Sequence, residues 1–263
     1  MSLARVEDRG DRLVVVNDNT ARRNALSDDL YDALAEATQL AEEPRVTSVT
    51  FWGAGGFFCA GGDLNLLATR RDLPEAERHA RIEALHDLVR GIRGSSVPWI
   101  AAVEGGAAGA GASLAFACDF VLAARGANIT AAYVRAGLTP DGGLSAALTE
   151  RLPRALVSEM LLLGTPVTAE RLAELGAING LCATGKSLMA AMDLADRIAA
   201  GPAAAQSRIK ALVALAEETP FAVLLDAERD AMATAVAGPE AQEGISAFLE
   251  KRRPAFAKRR EPS

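Results

Sequence analysis

Two glycine-rich turns, each entered from an apolar run with strand character, constrain the fold of this chain more than any other feature. The first, Phe57-Phe58-Cys59-Ala60-Gly61-Gly62-Asp63-Leu64, follows Val46 to Trp52. The second, Glu104-Gly105-Gly106-Ala107-Ala108-Gly109-Ala110-Gly111-Ala112-Ser113, follows Val97 to Val103. A helical pattern comes after each, so both read as strand, crowded turn, helix. A chain that repeats this unit must return its strands to the same end, which is what a parallel sheet requires. Residues without bulk also let a ligand approach the main chain, and the first turn of a helix presents N–H groups with no intrahelical partner. Two such donors aimed at one carbonyl oxygen would form an oxyanion hole, stabilising negative charge as it develops.

The pattern between and beyond the turns supports an α/β body with a helical end. Leu13 to Asn17 is strand-like, and Ser27 is placed to cap a helix running to about Glu42. Pro74 to Arg93 has helical spacing, with Ile82, Leu85, Val89 and Ile92 on one apolar side, and Asp119 to Ala123 is again strand-like. The second half predicts helices over 142–151, 154–163, 168–175 and 187–200, with strand character only near 181–184. After Gly201-Pro202 it predicts helices over about 203–218, 221–237 and 239–252, divided by Gly238 and its like. The expected division is therefore a body over residues 1–200 and a helical region over 201–263.

Composition serves mainly to exclude. The 263 residues are 50% hydrophobic and 24% charged, which suits a folded domain rather than a disordered chain. The net charge of −6 gives no support for nucleic-acid binding. The basic clusters Lys251-Arg252-Arg253 and Lys258-Arg259-Arg260 are short, and read as facing solvent or a small anion. Cys59, Cys118 and Cys182 are odd in number and widely spaced, so buried reduced thiols are expected and no metal site. His79 and His86 stand seven apart on one helix without a third ligand, and read as helix surface. No signal-peptide core and no long apolar run is evident, so the expectation is a cytoplasmic protein with no membrane partner.

Several segments, taken in order, resemble the crotonase superfamily, the enoyl-CoA hydratases and isomerases, which act on acyl-CoA thioesters. They are Asn24-Ala25-Leu26, the Phe58-to-Leu64 turn, the Val103-to-Gly111 run, Leu138-Thr139-Pro140-Asp141-Gly142-Gly143 and the Phe248-to-Phe256 tail. The correspondence extends from about Val6 to Phe256. It implies a crotonase-like spiral of ββα units with a C-terminal helical trimerisation region. It also implies a coenzyme A thioester as substrate, no permanently bound cofactor, and a homotrimer or dimer of trimers. Carried over residue by residue, the N–H groups of Gly62 and Ala110 would be the oxyanion-hole donors. Ala60 and Leu64 would offer main-chain contacts to the adenine, with Asp63 holding their turn by accepting main-chain N–H bonds. Arg22, Arg23 and the Ala25 turn would meet the CoA phosphates, and Phe248 and Lys251 would reach a neighbouring subunit's nucleotide.

The departures from the family pattern carry as much information as the matches. Its hydratases use two glutamates to handle water and the substrate proton; in this chain those places hold Ser113 and Tyr133. Neither is a carboxylate, which argues against hydration by the paired-glutamate route. Asp141 remains, in a setting that resembles the isomerase branch, where a single Asp or Glu follows a proline just before a helix. One carboxylate suffices to take a proton from C2 of a 3-enoyl-CoA and return it at C4. Other readings stay open for Asp141: a helix N-cap, or a nucleophile on the acyl group as in the family's dehalogenase branch. For the chain as a whole, the alternatives are an enoyl-CoA hydratase or a catalytically silent acyl-CoA binder.

Overall fold

The Val- and Ala-rich strands lie side by side in a computed structural model that describes residues 2–256. The order along the chain is β1 (Ala4–Asp8), β2 (Leu13–Asn17), α1 (Asp28–Leu40), β3 (Val49–Gly53), α2 (Leu64–Thr69), α3 (Glu75–Gly94), β4 (Trp99–Val103), β5 (Gly106–Ala108), α4 (Ala110–Ala117), β6 (Phe120–Ala124) and β7 (Asn128–Thr130). Then come α5 (Leu144–Arg151), α6 (Arg154–Leu163), β8 (Val167–Thr168), α7 (Ala169–Glu174), β9 (Gly180–Cys182), α8 (Ser187–Ala199), α9 (Ala203–Ala216), α10 (Phe221–Val236) and α11 (Pro239–Leu249). Six strands form one sheet in the order β1-β2-β3-β4-β6-β9, and β5-β7-β8 form a second. From β2 to β9 the large sheet is parallel, as repeated strand–helix units demand; only the edge strand β1 runs antiparallel.

Central strands covered on both faces should be apolar throughout, and β2 and β4 are buried at every position. Alternation along β4 sends Trp99, Ala101 and Val103 into the main core, while Ile100 and Ala102 meet Ala191, Ala195 and Ile198 of α8. Each large apolar side chain removed from water contributes about 1.5–3 kcal/mol, so these two layers supply most of the drive to fold. Ser27 caps α1 by accepting from the Leu30 N–H, an interaction typically worth about 1 kcal/mol.

The sequence-based outline needs five corrections. The strand expected over 46–52 pairs only from Val49, and that expected near 181–184 lies at Gly180–Cys182. The second sheet was not anticipated, because β5 is Gly-Ala-Ala and β8 is two residues long, too little for any periodicity. On α3 the buried side is Leu85, Leu88, Val89 and Ile92; Ile82 is 42% exposed, since the first half of that helix stands clear of the core. The helix expected from Gly142 starts at Leu144, because Gly142 and Gly143 both adopt left-handed backbone at φ +59° and +76°.

Helices α9 to α11 follow the body but bury little. Among their residues only Lys210, Glu243 and Ala247 are buried, whereas Ile209, Phe221, Met232 and Phe248 are well exposed. Lys210 fastens α9 to the body: its ammonium donates to the carbonyls of Ile92 and Val97 and to Asp119 Oδ2, at 2.8–3.0 Å. Glu240 of α11 accepts from the Ala204 and Ala205 N–H groups and so closes the start of α9. No helix among the described residues is long and apolar enough to cross a membrane. The basic cluster Lys258-Arg259-Arg260 lies outside the described residues.

Candidate active site

The two glycine turns run against each other. Cys59 and Ala107 form a parallel bridge between them, the Ala108 N–H donates to the Cys59 carbonyl at 2.9 Å, and the Phe58 N–H donates to that of Gly106 at 3.2 Å. Glycine makes this approach feasible. A Cβ on Gly61, whose φ is +84°, would stand 2.5 Å from the Ala108 oxygen and 3.1 Å from the Ala110 nitrogen. A Cβ on Gly111 would meet Cys59 Cβ at 2.8 Å and crowd its carbonyl oxygen. Bond lengths then put the Gly62 and Ala110 amide nitrogens within about 7 Å of each other. Among the described residues neither N–H has a hydrogen-bond acceptor. Ala110 is not in left-handed backbone, so alanine serves there as well as glycine.

Around the first turn the structure gathers residues 22–25. The Ala60 N–H donates to the Arg23 carbonyl and the Leu26 N–H to that of Gly61, at 3.1 and 2.9 Å. Arg23 lies over the Phe57 ring, 5.2 Å from its centroid, and Arg22 pairs with Asp63. Asp63 caps α2 by accepting from the Asn65 N–H at 2.9 Å; that bond and the Arg22 guanidinium hold its carboxyl below the usual range. Ala25 is buried, while Leu64 is 62% exposed at the start of α2. Three asparagines tie these segments together. Asn24 Nδ2 donates to the Ala54 and Phe57 carbonyls, and Asn17 and Asn19 donate to the carbonyls of Asn24 and Ala25. Sequence reading missed this scaffold, although three Asn within eight residues of a strand end were a signal for buried turn chemistry.

Asp141 sits half-buried in the loop before α5. The Tyr133 hydroxyl donates to its Oδ1 at 2.8 Å. Ser113 Oγ donates to its main-chain carbonyl at 2.9 Å and lies 2.9 Å from the Tyr133 hydroxyl. Burial first, and then the Asp141 charge, push the Tyr133 phenol upward, so it stays protonated and serves as a donor. The N-cap of α5 is Gly143, and the Asp141 carboxylate is not its side-chain cap; the capping alternative is set aside. The Tyr133 ring also lies near Gly109, the residue before Ala110, where an added Cβ would come 3.9 Å from Cζ. Gly62, Ala110 and Asp141 therefore belong to one connected cluster, which also contains Ser113 and Tyr133. Those two were singled out in the sequence for lacking a carboxylate, not for touching Asp141.

The remaining candidates lie elsewhere. Phe248, 82% exposed on α11, and Lys251, just beyond it, form no hydrogen bond with either glycine turn among the described residues. His79 and His86 face their own helix's glutamates, Glu75 and Glu83. Desolvation pushes the Cys59 thiol up to about 12, which makes it inert although it lies in the first turn.

Comparison with known proteins gives one consistent result. Residues 13–259 match the family model described as enoyl-CoA hydratase/isomerase. The chain is 35% identical over 237 residues to a 1,2-epoxyphenylacetyl-CoA isomerase of Escherichia coli K12, covering 89% of this chain and 90% of the other. It is 32% identical to an enoyl-CoA hydratase of Mycobacterium tuberculosis, EchA19, with 97% of each chain covered. A crystal structure of an enoyl-CoA hydratase from Polaromonas sp. JS666 superposes with a TM-score of 0.92 at 40% identity, over 95% of this chain and 98% of that one.

Proposed function

The chain belongs to the enoyl-CoA hydratase/isomerase family of the crotonase superfamily, and on that premise we propose that it shifts a double bond within an enoyl-CoA, with Asp141 as proton shuttle. The observation that carries this reading is the Ser113–Tyr133–Asp141 cluster, in which one carboxylate accepts from a tyrosine hydroxyl that a serine adjoins. Hydration by two carboxylates finds no second carboxylate hydrogen-bonded in that cluster among the described residues. Isomerisation needs only one.

The thioester oxygen would accept from the Gly62 and Ala110 N–H groups, whose lack of internal acceptors suits them to the task. Asp141 takes a proton from C2 of a 3-enoyl-CoA, and the C–H electron pair enters a dienolate with its charge on that oxygen. The same carboxyl then returns the proton at C4, leaving a 2-enoyl-CoA. Removing one donor from a working oxyanion hole costs roughly 10²–10³ in rate. Arg22, Arg23 and the Ala25 turn are read as the phosphate side of the coenzyme A site. Ala60, Leu64 and the Asp63-held turn form its adenine side. The chemistry is complete with the thioester and needs no resident cofactor.

The exposed apolar residues of α9 to α11 support residues 201–263 as the assembly region of a homotrimer or dimer of trimers. Phe248 and Lys251 would then serve a neighbour's nucleotide. A cytoplasmic setting fits this reading. Relatives named both hydratase and isomerase support the class of enzyme, and one comparison separates the reactions. Wild type and Asp141→Asn are followed on 3-enoyl-CoA and 2-enoyl-CoA for both isomerisation and water addition. The substitution should lower isomerisation about 10²–10⁴-fold. Hydration that exceeds isomerisation and survives the substitution would overturn the proposal.

A further inference from the structure

The Asp141 carboxylate has two oxygens, and the structure treats them differently. Oδ1 accepts from the Tyr133 hydroxyl at 2.8 Å, whereas Oδ2 has no hydrogen-bond partner among the described residues. Tyr133 is held in turn. Its residue is 9% exposed, its hydroxyl is 2.9 Å from Ser113 Oγ, and Ser113 is 1% exposed on α4. Ser113 has one hydroxyl hydrogen, shared between the Tyr133 oxygen and the Asp141 carbonyl, each 2.9 Å away, so side chain and main chain of Asp141 are both tied to one helix. Gly142 is pressed onto that point as well: a Cβ there would meet Ser113 Cβ at 2.8 Å.

Counting protons decides what this arrangement can do. A phenol has one hydrogen, and an ionised carboxylate can only accept, so the Tyr133 proton is directed at Oδ1. When Asp141 takes up a proton, Oδ1 is still engaged as an acceptor and the new O–H forms at Oδ2. We infer that Tyr133, seated on Ser113, is a positioning residue that reserves Oδ1 and leaves Oδ2 as the one oxygen carrying the mobile proton. The inference rests on the isomerase reading and adds an atom to it. In the first transfer the C2–H bond breaks, Oδ2–H forms and the electron pair enters the dienolate. In the second, Oδ2–H breaks, C4–H forms and the pair returns to carbon. Turnover of the carboxyl between the two steps would break the Tyr133 hydrogen bond, so the proton leaves from the oxygen that received it.

The test uses 3-enoyl-CoA deuterated at C2, in ordinary water, with wild type, Tyr133→Phe, Ser113→Ala and Asp141→Asn. Wild type should deliver part of the label to C4. Tyr133→Phe keeps the ring and removes the hydroxyl. Its kcat should fall about ten- to hundred-fold, the range for one hydrogen bond to a charged group, with KM within about threefold of wild type. The share of label reaching C4 should fall as well, which a packing defect alone would not cause. Ser113→Ala should show the same two changes more weakly. It also decides the matter if Tyr133→Phe fails to fold. Wild-type kcat and label transfer in both variants, or complete loss of label to water in wild type, would overturn the positioning role. Full activity in Asp141→Asn would instead overturn the isomerase reading beneath it.

Discussion

Helix α4 loses all eight of its residues from solvent, whereas α10 runs for sixteen residues without burying one. Helix α4 carries no charged residue, whereas α10 carries Asp226, Glu228, Arg229 and Asp230; side-chain size and available partners separate them further. The residues Ala-Gly-Ala-Ser-Leu-Ala-Phe-Ala let α4 pack closely against α3, α5 and strands of both sheets, and bring its first N–H to the neighbouring turn. On α10, Phe221, Val223, Met232 and Val236 are large and face outward. A helix of that kind is stable when something covers it, and the proposed oligomer supplies the cover. The body holds the proposed site by internal contact, and the helical end holds its place by a few ties and, in the proposed oligomer, by neighbours.

Four measurements would break or sharpen that contrast. Gly111→Ala should do the most damage, because the added methyl collides with Cys59, including its main-chain oxygen. A loss of about 3 kcal/mol is expected, the upper end for overpacking, with a melting point lower by about 6–12 °C. Unchanged melting would show that the turns are less tightly opposed than described. Next comes Lys210→Met, which strips three acceptors of their donor. It should cost about 2 kcal/mol, with hydrogen exchange rising selectively in α9, as Asp119 keeps its bond from the Trp99 N–H. Uniform destabilisation would count against a local fastening.

Phe248→Asp should change the stability of a single chain by less than about 0.5 kcal/mol, as exposed substitutions do. Sedimentation should nonetheless show a lower assembly state; an unaltered oligomer would remove Phe248 from the interface. The gentlest measurement needs no substitution. Cys59 and Cys118 are buried with thiols pushed upward by desolvation, while Cys182 on β9 is half-buried. At pH 8 a thiol reagent should modify Cys182 first in the native protein, and all three cysteines after unfolding. Prompt reaction at Cys59 would mean that the glycine turns open.

Much of this architecture was legible because its signals are local. Ser27 before an amphipathic run, apolar segments leading into glycine, and Gly201-Pro202 before the last helices all have short-range causes. Helix α6 begins and ends where the pattern placed it, at Arg154 and Leu163. What escaped was written between distant segments. Strand β5 has no strand-forming side chains and exists because β7 and the first turn lie beside it. The link from Tyr133 to Asp141 spans eight residues, with left-handed Gly137 turning the loop between them and left-handed Gly142 set against Ser113 just beyond. No periodicity encodes such a return. Ile82 fits the apolar stripe of α3 and stays exposed, because the outer half of that helix is not covered by any of the described residues.

The pairing of the two turns has a consequence for how such a protein diversifies. In the proposed site, the groups that face the developing charge are backbone N–H groups, at Gly62 and Ala110, where close packing favours small residues. The group that would carry the proton and the two that would position it are side chains, at positions 141, 133 and 113, on separate elements. A directed-evolution library confined to those three codons would vary the reaction while leaving the thioester anchor in place.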